Sequence, residues 1–150
     1  MSIVDTVKTI KKVQVQDVVM IKIGKFVYCY GKDACIISYI FKYKIKMLQD
    51  NIYVCAFPKD KLNKIMATLQ NKKINYIVLD RRNNYRTDEE NLSNGNLNRY
   101  NEYLEKAVKY VKLKNQVDSI YEFLIENIEK SETEEMIRSI KKVINERRKI

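Results

Sequence analysis

Lys22-Ile23-Gly24-Lys25-Phe26-Val27-Tyr28 interleaves two lysines with two aromatic rings around a Gly-Lys pair. Ammonium groups neutralise phosphates, and a ring on an exposed turn can stack on a base or wedge between bases. Lys22, Lys25, Phe26 and Tyr28 are therefore candidate nucleic-acid contacts. By chemistry alone, Phe26 suits a hydrophobic core somewhat better than an exposed contact. Arg81-Arg82 follow an apolar run and form a second candidate phosphate contact, with a solvated loop pair as the other reading. Tyr100, Tyr103, Tyr110 and Tyr121 lie at helical spacing and read as packing residues rather than as a base-stacking platform.

Catalytic chemistry finds little to work with. The chain has no histidine, which removes the Ser-His-Asp and Cys-His nucleophiles. It has neither a GxxxxGK[ST] phosphate loop nor a GxGxxG fingerprint. The carboxylates of residues 1–80 are isolated aspartates, and Asp88-Glu89-Glu90 sits in a polar stretch that reads as solvated loop. Tyr and Lys are plentiful enough for a divergent nuclease, but no spacing singles out a site. Cys29, Cys35 and Cys55 show no CxxC spacing and lie in apolar runs, so they read as buried reduced thiols rather than as a zinc site. The expectation is a non-enzyme with no cofactor and no metal.

Charge points to a polyanionic partner. The 150 residues carry 29 Lys and Arg against 19 Asp and Glu, a formal charge of +10. Residues 1–80 hold 14 Lys and 6 Asp, net +8, so the positive field belongs to the front half. Lysine-rich solubility alone is the competing explanation. Reduced thiols suggest the cytoplasm. Met1-Ser2-Ile3-Val4-Asp5 does not open a signal peptide, and no run approaches the ~20 apolar residues of a membrane span.

The elements that must position these residues follow from periodicity. Ile3, Val7 and Ile10 share a face of a short basic helix. Residues 17–23 are a β-branched run suited to a central strand buried on both faces. Gly24-Lys25 can host a two-residue hairpin, and residues 26–30 return with Phe26, Tyr28 and Tyr30 on one face. Asp33 can cap a helix through about residue 42. Strands follow at 43–48 and 52–57, the second stopped by Pro58, then a helix to about Asn71 and a last strand at 74–79. Residues 83–97 are polar and turn-rich and read as a linker or exposed loop. From about Asn98 the pattern is helical, with a second helix capped near Ser131. The domains expected are an α/β module at 1–82, the linker at 83–97 and a helical C-terminal region at 98–150.

The segment from about Gln16 to Asp80 resembles the N-terminal mismatch-recognition domain (domain I) of the MutS DNA mismatch-repair family. That domain runs a strand into a Gly-Asp-Phe-Tyr-Glu-Leu-Phe hairpin, then an acidic pair, an Ala and a helix. Here the string is Ile23-Gly24-Lys25-Phe26-Val27-Tyr28-Cys29-Tyr30-Gly31-Lys32-Asp33-Ala34, and Phe57-Pro58 stands where the family has a Gly-(Ile/Phe)-Pro element. The resemblance implies a MutS domain I-like mixed β-sheet of about five strands with flanking helices, followed by an α-helical C-terminal extension. It places the wedging Phe of the family's Phe-x-Glu motif on Phe26. The Glu position falls on Tyr28, which has no carboxylate, and the Asp beside the Phe becomes Lys25. The family's connector, lever, clamp and ATPase domains have no counterpart. The resulting expectation is a cytoplasmic, non-catalytic accessory protein that binds DNA or RNA, with no membrane association. The alternative is an adaptor whose helices 98–150 form a homo-oligomer or grip a protein partner, such as a nucleic-acid enzyme of the reverse-transcriptase kind.

Overall fold

β1 (Val18–Ile23) is the strand around which the fold is built. In this computed structural model, which describes residues 2–148, β1 pairs antiparallel with β2 (Phe26–Tyr30) and parallel with β5 (Tyr76–Asp80). β3 (Ile45–Met47) and β4 (Tyr53–Pro58) extend the sheet beyond β2, and β6 (Arg86–Asn91) closes the far edge. The strand order is β3-β4-β2-β1-β5-β6. A run of β-branched residues suits β1 because apolar layers cover both of its faces.

Strand alternation divides β1 between two cores. Val18 and Met20 join Val27, Cys29, Phe57 and Val78 beneath α2 (Gly31–Phe41), α3 (Leu62–Asn71) and the front of α4 (Tyr100–Glu126). Val19 and Ile21 face the other way with Tyr30, Ile77 and Leu79, where α1 (Ile3–Val13) lays Val7 on them. The expected alternation of β2 holds: Val27 and Cys29 enter the first core, while Tyr28 and Tyr30 join the second. All three cysteines are free and buried, and Cys29 lies opposite Cys55 across β2 and β4. Burial is the leading reason that Cys35 is pushed up to about 11 and Cys55 to about 12.

One buried carboxylate ties four elements together. Asp33, expected as a helix cap, instead sits inside the first turn of α2, whose cap residue Tyr30 makes no side-chain bond. Asp33 is 1 % exposed. It accepts bonds from the Val19 amide of β1 (3.1 Å), the Lys11 ammonium of α1 (3.2 Å) and the Tyr100 hydroxyl of α4 (2.6 Å). Burial raises its pKa, and these three donors pull against that shift. A lone carboxylate would be costly at this depth, so the donors make the site tenable and fix how the helices meet the sheet.

Residues 83–97, expected as a linker or exposed loop, contain a strand, β6. β6 pairs antiparallel with β5 along its length, with an irregularity at Val78/Leu79. Its sequence, Arg-Thr-Asp-Glu-Glu-Asn, has no apolar face, and the residues are almost all exposed. Backbone pairing to β5 holds this polar edge strand, a contribution that hydrophobic periodicity does not register. The Asn98 amide then donates to Gln16 O (2.7 Å) and its carbonyl accepts from Asn75 N (3.0 Å), joining the start of α4 to the sheet.

The module boundary also falls later than residue 82. One compact unit continues through Val111, and the second begins at Lys112, so α4 runs through the boundary. The first unit contains the front of α4, with Tyr100, Tyr103, Ala107 and Val111 in its core. The second holds the rest of α4 and α5 (Ser131–Arg148). The last two residues of the expected 98–150 region lie outside the described residues. Among the described residues, no helix is long and apolar enough to cross a membrane.

Candidate nucleic-acid interface

The β1–β2 hairpin is two residues long, with Ile23 paired to Phe26. Gly24 occupies φ +61°, which L side chains rarely adopt, so the glycine is what lets the chain reverse so tightly. Lys25 is exposed at the tip. Phe26 is 46 % exposed and stands opposite Pro58, the last residue of β4. Its ring is therefore available to solvent at the end of a strand whose next residue, Val27, is fully buried.

Three other strand ends arrive beside the hairpin. The Lys59 amide donates to Lys25 O (3.0 Å), bringing the residue after β4 to the turn. β5 is parallel to β1, so it ends at the same edge, with Asp80 level with Lys22. Asp80 caps the 3-10 turn Arg81–Asn83, accepting from Arg82 N (2.9 Å) and Asn83 Nδ2 (3.2 Å). Its carboxylate thus holds the turn that carries Arg81 and Arg82. Arg86 of β6 pairs opposite Asp80. A cleft of about 280 Å3 lies among these ends, lined by Lys22, Ile23, Gly24, Lys59, Asp80, Arg81 and Arg82. It sits at the carboxyl ends of the two parallel strands, where open sheets commonly bind ligands.

The six sequence candidates divide. Lys22, Arg81 and Arg82 share the cleft, and Lys25 and Phe26 lie on the turn beside it. Lys22, however, forms an ion pair with Asp88, in the irregular stretch of β6, which neutralises it. Tyr28 is half-buried, with its ring stacked on Tyr30 at 6.4 Å and 17°, so it belongs to the second core. Lys59 and Arg86, both exposed, are additions that only the strand register reveals. The tail tyrosines Tyr100 and Tyr103 are buried, and Tyr110 lies under the Lys42 ammonium at 4.0 Å. Among the described residues, no group of three or more His, Cys, Asp or Glu could hold a metal ion.

The arrangement can do two things chemically. Lys25, Lys59, Arg81 and Arg82 can present exposed positive charge to an anionic backbone, and Phe26 an apolar face at the same edge. The sequence model of the MutS domain I family matches residues 2–144. The match extends well past residues 16–80, where the hairpin motif is legible, and reaches through α4 into α5. No curated protein matches the chain.

Proposed function

This chain belongs to the MutS domain I family, and we propose that it is a non-catalytic accessory protein that binds nucleic acid through the cationic edge formed by the ends of β1, β2, β4 and β5. The observation that carries this reading is the convergence of Lys25, Lys59, Arg81 and Arg82, from three separate chain segments, around a hairpin that exposes Phe26. The cations hold phosphates and the ring stacks on a base. Tyr28 offers no carboxylate to a base, so discrimination of a mismatch falls to Phe26 alone, and binding should favour accessible bases over a particular mispair. The lack of histidine and the isolation of the aspartates of residues 1–80 fit a role without catalysis.

Fluorescence anisotropy with matched duplex, mismatched duplex and single-stranded DNA and RNA tests the assignment. Alanine at Lys25, Lys59, Arg81 and Arg82 together should abolish measurable binding to all of them. Wild-type affinity in that variant would overturn it.

A second reading, an interaction adaptor, is favoured by a separate observation. Among the described residues, ten large apolar side chains between Leu113 and Ile144 are exposed. A surface of that kind marks an association site. On this reading the helices engage another protein or another copy, and the α/β module serves as its scaffold.

A further inference from the structure

The cleft among the strand ends holds more positive charge than one backbone phosphate needs. Lys22, Lys59, Arg81 and Arg82 line it against a single carboxylate, Asp80. Asp80 is engaged with the turn it caps, and Lys22 is paired with Asp88, which lies outside the lining. Four cations set against Asp80 and Asp88 leave a surplus of two. A backbone phosphodiester carries one negative charge. A terminal phosphomonoester carries about 1.5 to 2 at neutral pH and offers three acceptor oxygens. The surplus matches the monoester. Adjacent guanidinium groups at Arg81 and Arg82 suit it as well, because each can bond two oxygens at once.

The flanks of the cleft also favour a strand end over a continuous chain. The sheet order β2-β1-β5-β6 puts the hairpin on one side and β6 on the other. The hairpin side is cationic and aromatic, with Lys25 and Phe26 exposed. On the β6 side Arg86 stands level with Asp80, and past it come Asp88, Glu89 and Glu90, all exposed. Lys22 offsets one of these three carboxylates. A backbone running on through the cleft would pass from cations to carboxylates, which repel it. A strand that stops in the cleft avoids that flank. Its last base also has one face free, so Phe26 can stack on it without first prising two bases apart. Phe26 is two residues from Gly24 of the lining, at most about 7 Å along the chain, the scale of one nucleotide.

We propose that the cleft receives the terminal phosphomonoester of a nucleic-acid strand, with Arg81, Arg82 and Lys59 around the phosphate and Phe26 on the terminal base. This rests on the nucleic-acid-binding reading above and adds to it a preference for phosphorylated ends. Lys25, outside the lining, meets a backbone phosphate of whichever strand is bound.

Anisotropy with one short single strand, labelled internally, tests the preference. The strand is prepared with a 5′ phosphate, with a 3′ phosphate, with each phosphate capped as its methyl diester, with hydroxyls at both ends, and as a closed circle. One or both phosphorylated forms should bind at least about tenfold tighter than the capped, hydroxyl-ended and circular forms, the scale of one added charge-assisted contact. The form that gains identifies the end. Arg81→Ala with Arg82→Ala should erase the difference, whereas Lys25→Ala should weaken every form by a similar factor and preserve it. Circular dichroism should match wild type for both variants, since all three residues are exposed. Equal affinity of the circle and the phosphorylated strands overturns the proposal. So does a preference that survives methyl capping or the loss of both arginines. Those results leave general nucleic-acid binding standing, whereas a failure of every form to bind overturns the nucleic-acid reading itself.

Discussion

Salt dependence gives the sharpest test of the cationic edge, because the structure separates cations that are free to meet phosphate from one that is not. Lys25, Lys59, Arg81 and Arg82 are exposed, whereas Lys22 is paired with Asp88. Each phosphate contact on a duplex contributes about −0.9 to the slope of log affinity against log salt, so four contacts give about −3.6. Raising monovalent salt from about 50 to about 200 mM should then lower duplex affinity on the order of 150-fold. Alanine at any one of the four should make the slope shallower by about 0.9. Lys22→Ala should leave it nearly unchanged, while Asp88→Asn releases Lys22 and should steepen it by up to about 0.9. Anisotropy titrations at four or five salt concentrations measure every slope. A wild-type slope shallower than about −1, or Lys22→Ala flattening it as much as Arg82→Ala, would refute the reasoning.

Phe26 and Phe57 should behave oppositely. Phe26→Ala should change stability by less than about 0.5 kcal/mol while weakening single-strand binding by about 1–3 kcal/mol, and Phe57→Ala, from a fully buried ring, should cost about 3–5 kcal/mol in a urea melt. Equal destabilisation by the two changes would contradict the exposure of Phe26. Tyr100→Phe removes the 2.6 Å donor to a charged acceptor and should cost ~1.5–3 kcal/mol. Asp33 also sets a pH signature. Its folded pKa is raised above 3.8, chiefly by burial, so its contribution is complete below that value and falls as pH rises through the window up to the folded pKa. Asp33→Asn should remove that slope from the acid limb of stability against pH, and an unchanged limb would refute the assignment. Finally, a thiol reagent near pH 8 should label none of the three buried cysteines quickly in the native chain and all three in denaturant, since burial keeps them protonated. Rapid labelling of one equivalent without denaturant would show that a thiol is reachable.

Local patterns were enough to place most of the sheet. The β-branched run at 18–23 and the alternation at 26–30 each encode which faces are buried, and Gly24 marks the only tight reversal between them. Three features depended on partners distant in sequence. β6 is polar on both faces and exists because β5 offers a free backbone edge. Asp33 has the residue type of a cap, but Lys11 and Tyr100, 22 and 67 residues away, draw its carboxylate inward. Lys22 looked free beside Lys25, and Asp88, 66 residues on, neutralises it. The candidate edge was legible only as separate fragments. Lys25-Phe26 and Arg81-Arg82 stand out in sequence, whereas Lys59 joins them through the register of β4 against β2.

The changes around the hairpin act together. Position 28 shares a sheet face with positions 26 and 30, and Tyr28 is held there by stacking on Tyr30, with Ala56 opposite on β4. The side chain that corresponds to the family's base-contacting glutamate is thereby committed to packing. At the same time Lys25 stands where the resemblance puts an aspartate. Relative to an Asp-Phe-x-Glu hairpin, the tip goes from two negative charges to one positive charge, a swing of three units within four residues. Two carboxylates beside the ring repel phosphate and restrict contact to positions where a base rewards it. A lysine beside the same exposed ring attracts the backbone wherever it runs. On the proposed reading, the sheet and the glycine turn stay as the family has them while Phe26 and Lys25 favour a polyanion with a base free to stack over the identity of a particular base.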